Sequence, residues 1–134
     1  MTARLLLVLL LAAACRPAPP RCTPADFTAL AGEYMIDDIR QPFVIRQMAG
    51  RVLTQEGDGW PTGFPILFQV HGRRGLSRSL EVHPDGTFQA NDLGPGEYCF
   101  KVATAHTRTY LGRIIVDRRA PASQTFELRL KWGD

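Results

Sequence analysis

Three histidines, three cysteines, three serines and one pair of adjacent aspartates are the side chains of this chain best equipped for chemistry. His71, His83 and His106 lie in three separate segments, with no H-x-H, H-x-x-x-H or H-E-x-x-H spacing. A metal site would have to be assembled by the fold, and solvated strand-end histidines are the ordinary reading. Ser77, Ser79 and Ser123 stand in neither a G-x-S-x-G nor an S-x-x-K context, so no activated nucleophile is marked. Asp37 and Asp38 are adjacent in an extended segment, where neighbouring side chains point opposite ways; solvation or a salt bridge to Arg40 is expected. Gly94-Pro95-Gly96 opens a strand pattern rather than a helix, so it presents no phosphate-binding helix N-terminus. No catalytic residue and no cofactor are expected.

The cysteines divide by position. Leu5 to Ala14 is an apolar run of ten residues after one positive charge, Arg4. At 1.5 Å per residue that is about 15 Å, half of a hydrocarbon core, so residues 1–14 have the length of a signal-peptide core and not of a membrane span. Leu11-Ala12-Ala13-Ala14-Cys15 resembles a bacterial lipobox, with Ala12 where Leu is usual. The resemblance implies cleavage before Cys15 and lipidation of its sulfur; an ordinary secretory signal with Cys15 unmodified is the rival reading. Arg16 after the cysteine favours a cell-envelope location at the outer membrane or the periplasmic face. Export implies an oxidising compartment. Cys22 and Cys99 then remain as one disulfide or as two free thiols, and neither has a His or Lys beside it to activate it.

These residues must be positioned by the segments around them. Residues 15–42 read as a tether and N-terminal arm: the proline-rich Arg16–Arg21, then Thr23-Pro24-Ala25-Asp26 as N-cap, Pro at N1 and an acid in the first turn. A helix of one or two turns with Phe27 and Leu30 on one face, stopped by Gly32, is expected there. From residue 43 to 134 the period is two. Phe64, Ile66, Phe68 and Val70, then Tyr98, Phe100 and Val102, then Phe126, Leu128, Leu130 and Trp132, take one face each of their segments. Turn clusters such as Glu56-Gly57-Asp58-Gly59 and Pro84-Asp85-Gly86 separate them. The alternation predicts an all-β sandwich of about seven antiparallel strands with a short N-terminal helix. With Tyr98 and Phe100 inward, Cys99 points outward, and a bond to Cys22 would pin the arm across the outer face of its sheet.

Gly50-Arg51-Val52, the Gly57-Asp58-Gly59 turn, Gly63, Ile66 and Phe68, Asp85-Gly86-Thr87-Phe88, and Leu93-Gly94-Pro95-Gly96-Glu97-Tyr98 together resemble the carboxypeptidase regulatory-like domain. The resemblance covers residues 48 to about 116 and implies a transthyretin-like, seven-stranded sandwich. Enzymes that share this architecture are not matched. The paired Tyr and His iron ligands of intradiol dioxygenases are not visibly supplied, and the Tyr-Arg-Gly-Ser of hydroxyisourate hydrolases has Lys131-Trp132-Gly133-Asp134 in its place.

Sixteen basic residues against 13 acidic give a net charge of +3, interspersed in sign, which is not a nucleic-acid footprint. The expectation is a non-catalytic, lipid-anchored envelope module bound to the membrane through Cys15, with a protein or glycan partner. Trp60 in its Gly-rich turn is a candidate stacking residue, against the commoner role of plugging the sandwich's open end. Arg73 and Arg74, with Arg78, are candidates for anionic headgroups or lipopolysaccharide, against the commoner reading of a solvated loop. The rival functions are a small periplasmic metal-binding protein or enzyme using His71, His83 and His106, and an accessory lipoprotein of a secretion or envelope machine.

Overall fold

A computed structural model describes Pro20, residues 22–33 and residues 35–133. The lipobox and the Cys15 lipidation site lie outside the described residues. The described chain is all-β, with two sheets packed through their apolar faces. The larger sheet has the order β1 (Ile36–Asp38), β8 (Thr109–Val116), β7 (Gly96–Ala103), β4 (Leu67–His71), β5 (Ser77–Ser79), and β2 (Phe43–Ile45) also pairs with β8. The smaller sheet is β6 (Thr87–Gln89), β3 (Ala49–Thr54), β9 (Phe126–Leu130).

Two features depart from the expected seven antiparallel strands. The described residues form nine strands, and both sheets are mixed. β1 and β2 run in succession along one edge of β8, both parallel to it, from Ile36 beside Thr109 to Ile45 beside Val116. Gln41-Pro42 interrupts them, as a residue without an N–H must interrupt a ladder. β3 and β9 are also parallel neighbours. Their close approach requires Gly50, because a Cβ there would lie 2.3 Å from the Phe126 carbonyl oxygen.

Period-two alternation is what fills the core. Phe68, Val70, Phe100, Val102 and Ile114 from the larger sheet, with Val52, Phe88, Phe126 and Leu130 from the smaller, are all at most 2% exposed. Four phenylalanines join the layers: Phe88 and Phe126 meet edge-on at 5.3 Å, Phe100 and Phe126 at 5.4 Å, and Phe68 tilts on Phe88 at 4.7 Å. Such edge contacts add about 0.5–1.5 kcal/mol each to plain burial. The Asp85-Gly86 turn closes with Gly86 at φ 88°, which a side chain would resist. The Asp85 carboxylate accepts both the Thr87 N–H and hydroxyl, which holds its pKa below the usual carboxylate range.

The N-terminal helix is a single 3-10 turn, Pro24–Asp26, instead of one or two α-turns. Its start follows the sequence signal: the Asp26 carboxylate accepts the Thr23 N–H and hydroxyl. It stops early because Phe27 is extended, at φ −105° and ψ 156°, and drawn onto the sheet below. A helix this short has too few internal bonds to compete with docking.

Candidate functional site

Residues 22–33 lie across part of the outer face of the larger sheet and bury Gln69, His71, Cys99, Lys101 and Leu111 there. Cys22 is disulfide-bonded to Cys99, which is 1% exposed at the middle of β7. Phe27 stacks on His71 with ring centroids 4.2 Å apart, and joins Cys99 and Leu111 in a small apolar cluster. The Thr28 N–H donates to Gln69 Oε1 at 2.9 Å. The Lys101 ammonium, its side chain 3% exposed, donates to the Thr28 carbonyl at 2.8 Å and to the Glu33 carboxylate at 2.9 Å. Glu33 in turn accepts the Leu30 N–H, so it closes the arm's own turn while neutralising the lysine. Farther along, Gly32 (φ 78°) passes beside Ala105. The arm therefore runs from mid-sheet toward the loop that joins β7 to β8.

At the opposite end of the sandwich four connections meet: β2 to β3, β4 to β5, β6 to β7, and the segment after β8. Arg46, Arg73, Arg74, Arg118 and Arg119 project from three of them, all exposed. Among the described residues none of these five guanidinium groups forms an ion pair; Arg46 Nε donates to the Ala120 carbonyl at 3.0 Å. Arg78, by contrast, is bound by Asp92, and that hydrogen bond holds the Asp92 carboxyl below its usual range. A groove of about 620 Å³ opens here, lined by Arg46 and Arg118, the apolar Met48 and Leu93, and the polar Gln89 and Asn91. Tyr98 braces the end by donating its hydroxyl to the Gly94 carbonyl at 2.6 Å, and burial raises its phenol pKa.

Arg74 is held in the left-handed region, φ 60° and ψ 31°, the one non-glycine among the described residues with positive φ. That conformation costs an L-residue, through its Cβ, roughly 1–2 kcal/mol and costs glycine almost nothing. Arg74→Gly is accordingly expected to raise the unfolding free energy by about 1 kcal/mol, measured by urea titration. A chain selected for stability alone would carry glycine here.

The predicted surface residues separate sharply. Arg73 and Arg74 are exposed on the second 3-10 turn, Arg73–Gly75. Trp60 is at the far end and only 4% exposed; its indole N–H donates to the Val52 carbonyl at 2.8 Å, and Phe64 stacks on it at 5.0 Å. It plugs the sandwich and offers no face to a ligand. The exposed tryptophan is Trp132, 40% open, which the alternation had placed inward with Leu130. The histidines are not brought together. His83 and His106 are exposed on separate loops, whereas His71, expected in solvent, is buried under Phe27 with Nε2 unpartnered. Among the described residues no group of His, Cys, Asp or Glu is arranged to hold a metal ion. Asp37 pairs with Arg108 at 3.2 Å and not with Arg40, because β1 lies in register against β8.

Burial of Lys101 and His71, and the grouping of Arg46 and Arg118 with Arg73, had no local sequence signal. Each arises from segments far apart in the chain. Comparison with protein-family models, with curated proteins and with solved structures returns no match to this chain.

Proposed function

We propose that this chain is a non-catalytic, lipid-anchored module of the cell envelope, a transthyretin-like sandwich of the carboxypeptidase regulatory kind that presents a binding surface beside a membrane. The observation that carries the reading is the pairing of a lipobox ending at Cys15 with a disulfide that begins at Cys22, seven positions later. A disulfide belongs to an exported domain. It also fastens the segment that follows the tether to the middle of β7, so that the pull of an anchor would be borne by a central strand.

The family resemblance is supported by the work its motif residues do. Tyr98 bonds back to Gly94 within Leu93-Gly94-Pro95-Gly96-Glu97-Tyr98, and Asp85-Gly86 makes the tight turn before Phe88. On this reading β3 to β9 are the seven strands of the family, and β1, from the arm, and β2, just after it, are an added edge.

Cells fed a radiolabelled or alkyne-bearing fatty acid are expected to label the protein, and Cys15→Ala is expected to abolish the label. The same substitution should move the protein from the membrane fraction, or leave it as an uncleaved precursor. Label that persists in Cys15→Ala would overturn the anchor.

A further inference from the structure

We infer that the arginine-bearing end of the sandwich is the face this protein lays against an anionic bilayer surface, with lipid headgroup phosphates as its ligand. The inference rests on the lipid-anchor reading for its orientation and on the described geometry for its chemistry. Cys22 is fixed over Cys99, three positions from Gly96 at the arginine end of β7. From Cys22 the arm covers the face toward Ala105, away from that end. The strands flanking β7 are β4 and β8. β4 leads directly to Arg73 and Arg74, and β8 leads to Arg118 and Arg119. The attachment point therefore lies on the strand between the two that lead to the arginine pairs, β4 and β8 themselves standing two strand spacings, about 10 Å, apart.

Seven residues from Cys15 to Cys22 span at most about 25 Å, enough for this end to reach the headgroups and too little for the domain to leave them. Within a Debye length of an anionic surface each unpaired arginine strengthens attraction about fivefold. Asp92 and Glu97 are neutralised by Arg78 and Arg113, which leaves the exposed Asp117 as the carboxylate at this end that opposes the five arginines. The strained Arg74 has its reason here: it keeps a cation at the tip of the turn where glycine would be more stable.

The test uses the chain from residue 16 onward, which retains every described residue and both disulfide cysteines but cannot be acylated. It is mixed with vesicles of phosphatidylcholine alone or with phosphatidylglycerol added, and bound protein is measured by sedimentation. Binding is expected only to the phosphatidylglycerol vesicles, and is expected to vanish near 1 M salt, where the Debye length is about 3 Å. Arg73→Glu/Arg74→Glu should weaken it roughly 30-fold or more. Arg118→Glu, from a different loop, should weaken it about fivefold or more. Arg129→Glu/Lys131→Glu changes the net charge as much as the first pair but lies on β9 and just beyond it, at the opposite end, and should leave binding within about twofold. Equal loss from both double variants, or no preference for phosphatidylglycerol, overturns the inference. Because this protein carries no lipid, its result is independent of whether fatty-acid labelling succeeds.

Discussion

Cys22→Ala/Cys99→Ala is expected to lower the unfolding free energy by roughly 4–5 kcal/mol, the largest effect of any change considered for this chain. The bond closes a loop of 77 positions that includes β1 through the first half of β7. Unfolding with the bond intact leaves that loop closed, so the denatured chain has far less conformational freedom to gain. For a domain of this size the loss corresponds to roughly 15–20 °C in thermal midpoint. Reducing agent should act on the wild-type protein in the same direction, once Cys99 becomes accessible. Amide exchange gives a second readout. In the double variant residues 22–33 are expected to lose protection well before β7 and β8, because the arm's remaining grip is a handful of side-chain contacts. A midpoint shift of only a few degrees would mean that the arm is held by those contacts alone. In that case the disulfide constrains no part of the unfolded chain that matters.

How far the sequence alone carries such an argument depends on the range of the contacts. Alternation along Tyr98 to Val102 placed Cys99 on the outer face, and export chemistry offered Cys22 as its partner; both are local readings. Thr23 to Asp26 marked a turn that does form, and Asp85-Gly86 marked a hairpin. What period two cannot say is whether an outer face meets water. Lys101 and His71 occupy solvent-pattern positions, yet both are buried because a segment 68 and 44 positions upstream (Glu33 and Phe27) lies over them. Trp132 continued the inward pattern of Phe126, Leu128 and Leu130, but the strand ends at Leu130 and leaves it exposed. The parallel pairing of β1 and β2 with β8 was equally silent, since no residue type marks which distant edge a short strand will choose. The arginine end is the same case: Arg73-Arg74 is visible as a dipeptide, whereas Arg46 and Arg118 join it only through the fold.

Glu33→Ala is expected to cost about 3 kcal/mol, more than its small contact area suggests. The Lys101 side chain is 3% exposed, and Glu33 supplies its only countercharge among the described ion pairs, at 2.9 Å. An exposed pair would be worth little. Removing one partner of a buried pair leaves an unpaired charge where water cannot hydrate it, and that costs about 3–5 kcal/mol. The lower end applies here, because the Thr28 carbonyl still accepts from Lys101 and Glu33 is 22% exposed. Lys101→Met is predicted to be milder, since a methionine fills the stem's volume and asks for no partner. The two changes should therefore not add. In the Lys101→Met background Glu33→Ala is expected to cost under about 1 kcal/mol, a coupling that a urea-denaturation double-mutant cycle reads directly. Additive losses would show that Glu33 acts by closing the arm's turn onto the Leu30 N–H and not by neutralising Lys101. The distinction bears on orientation. If the pair is coupled, arm and sheet are locked at two points, the disulfide at Cys99 and the ion pair at Lys101, two residues farther along β7. Two points on one strand fix the arm's direction as well as its position, so the end of the sandwich that faces the anchor is fixed with it.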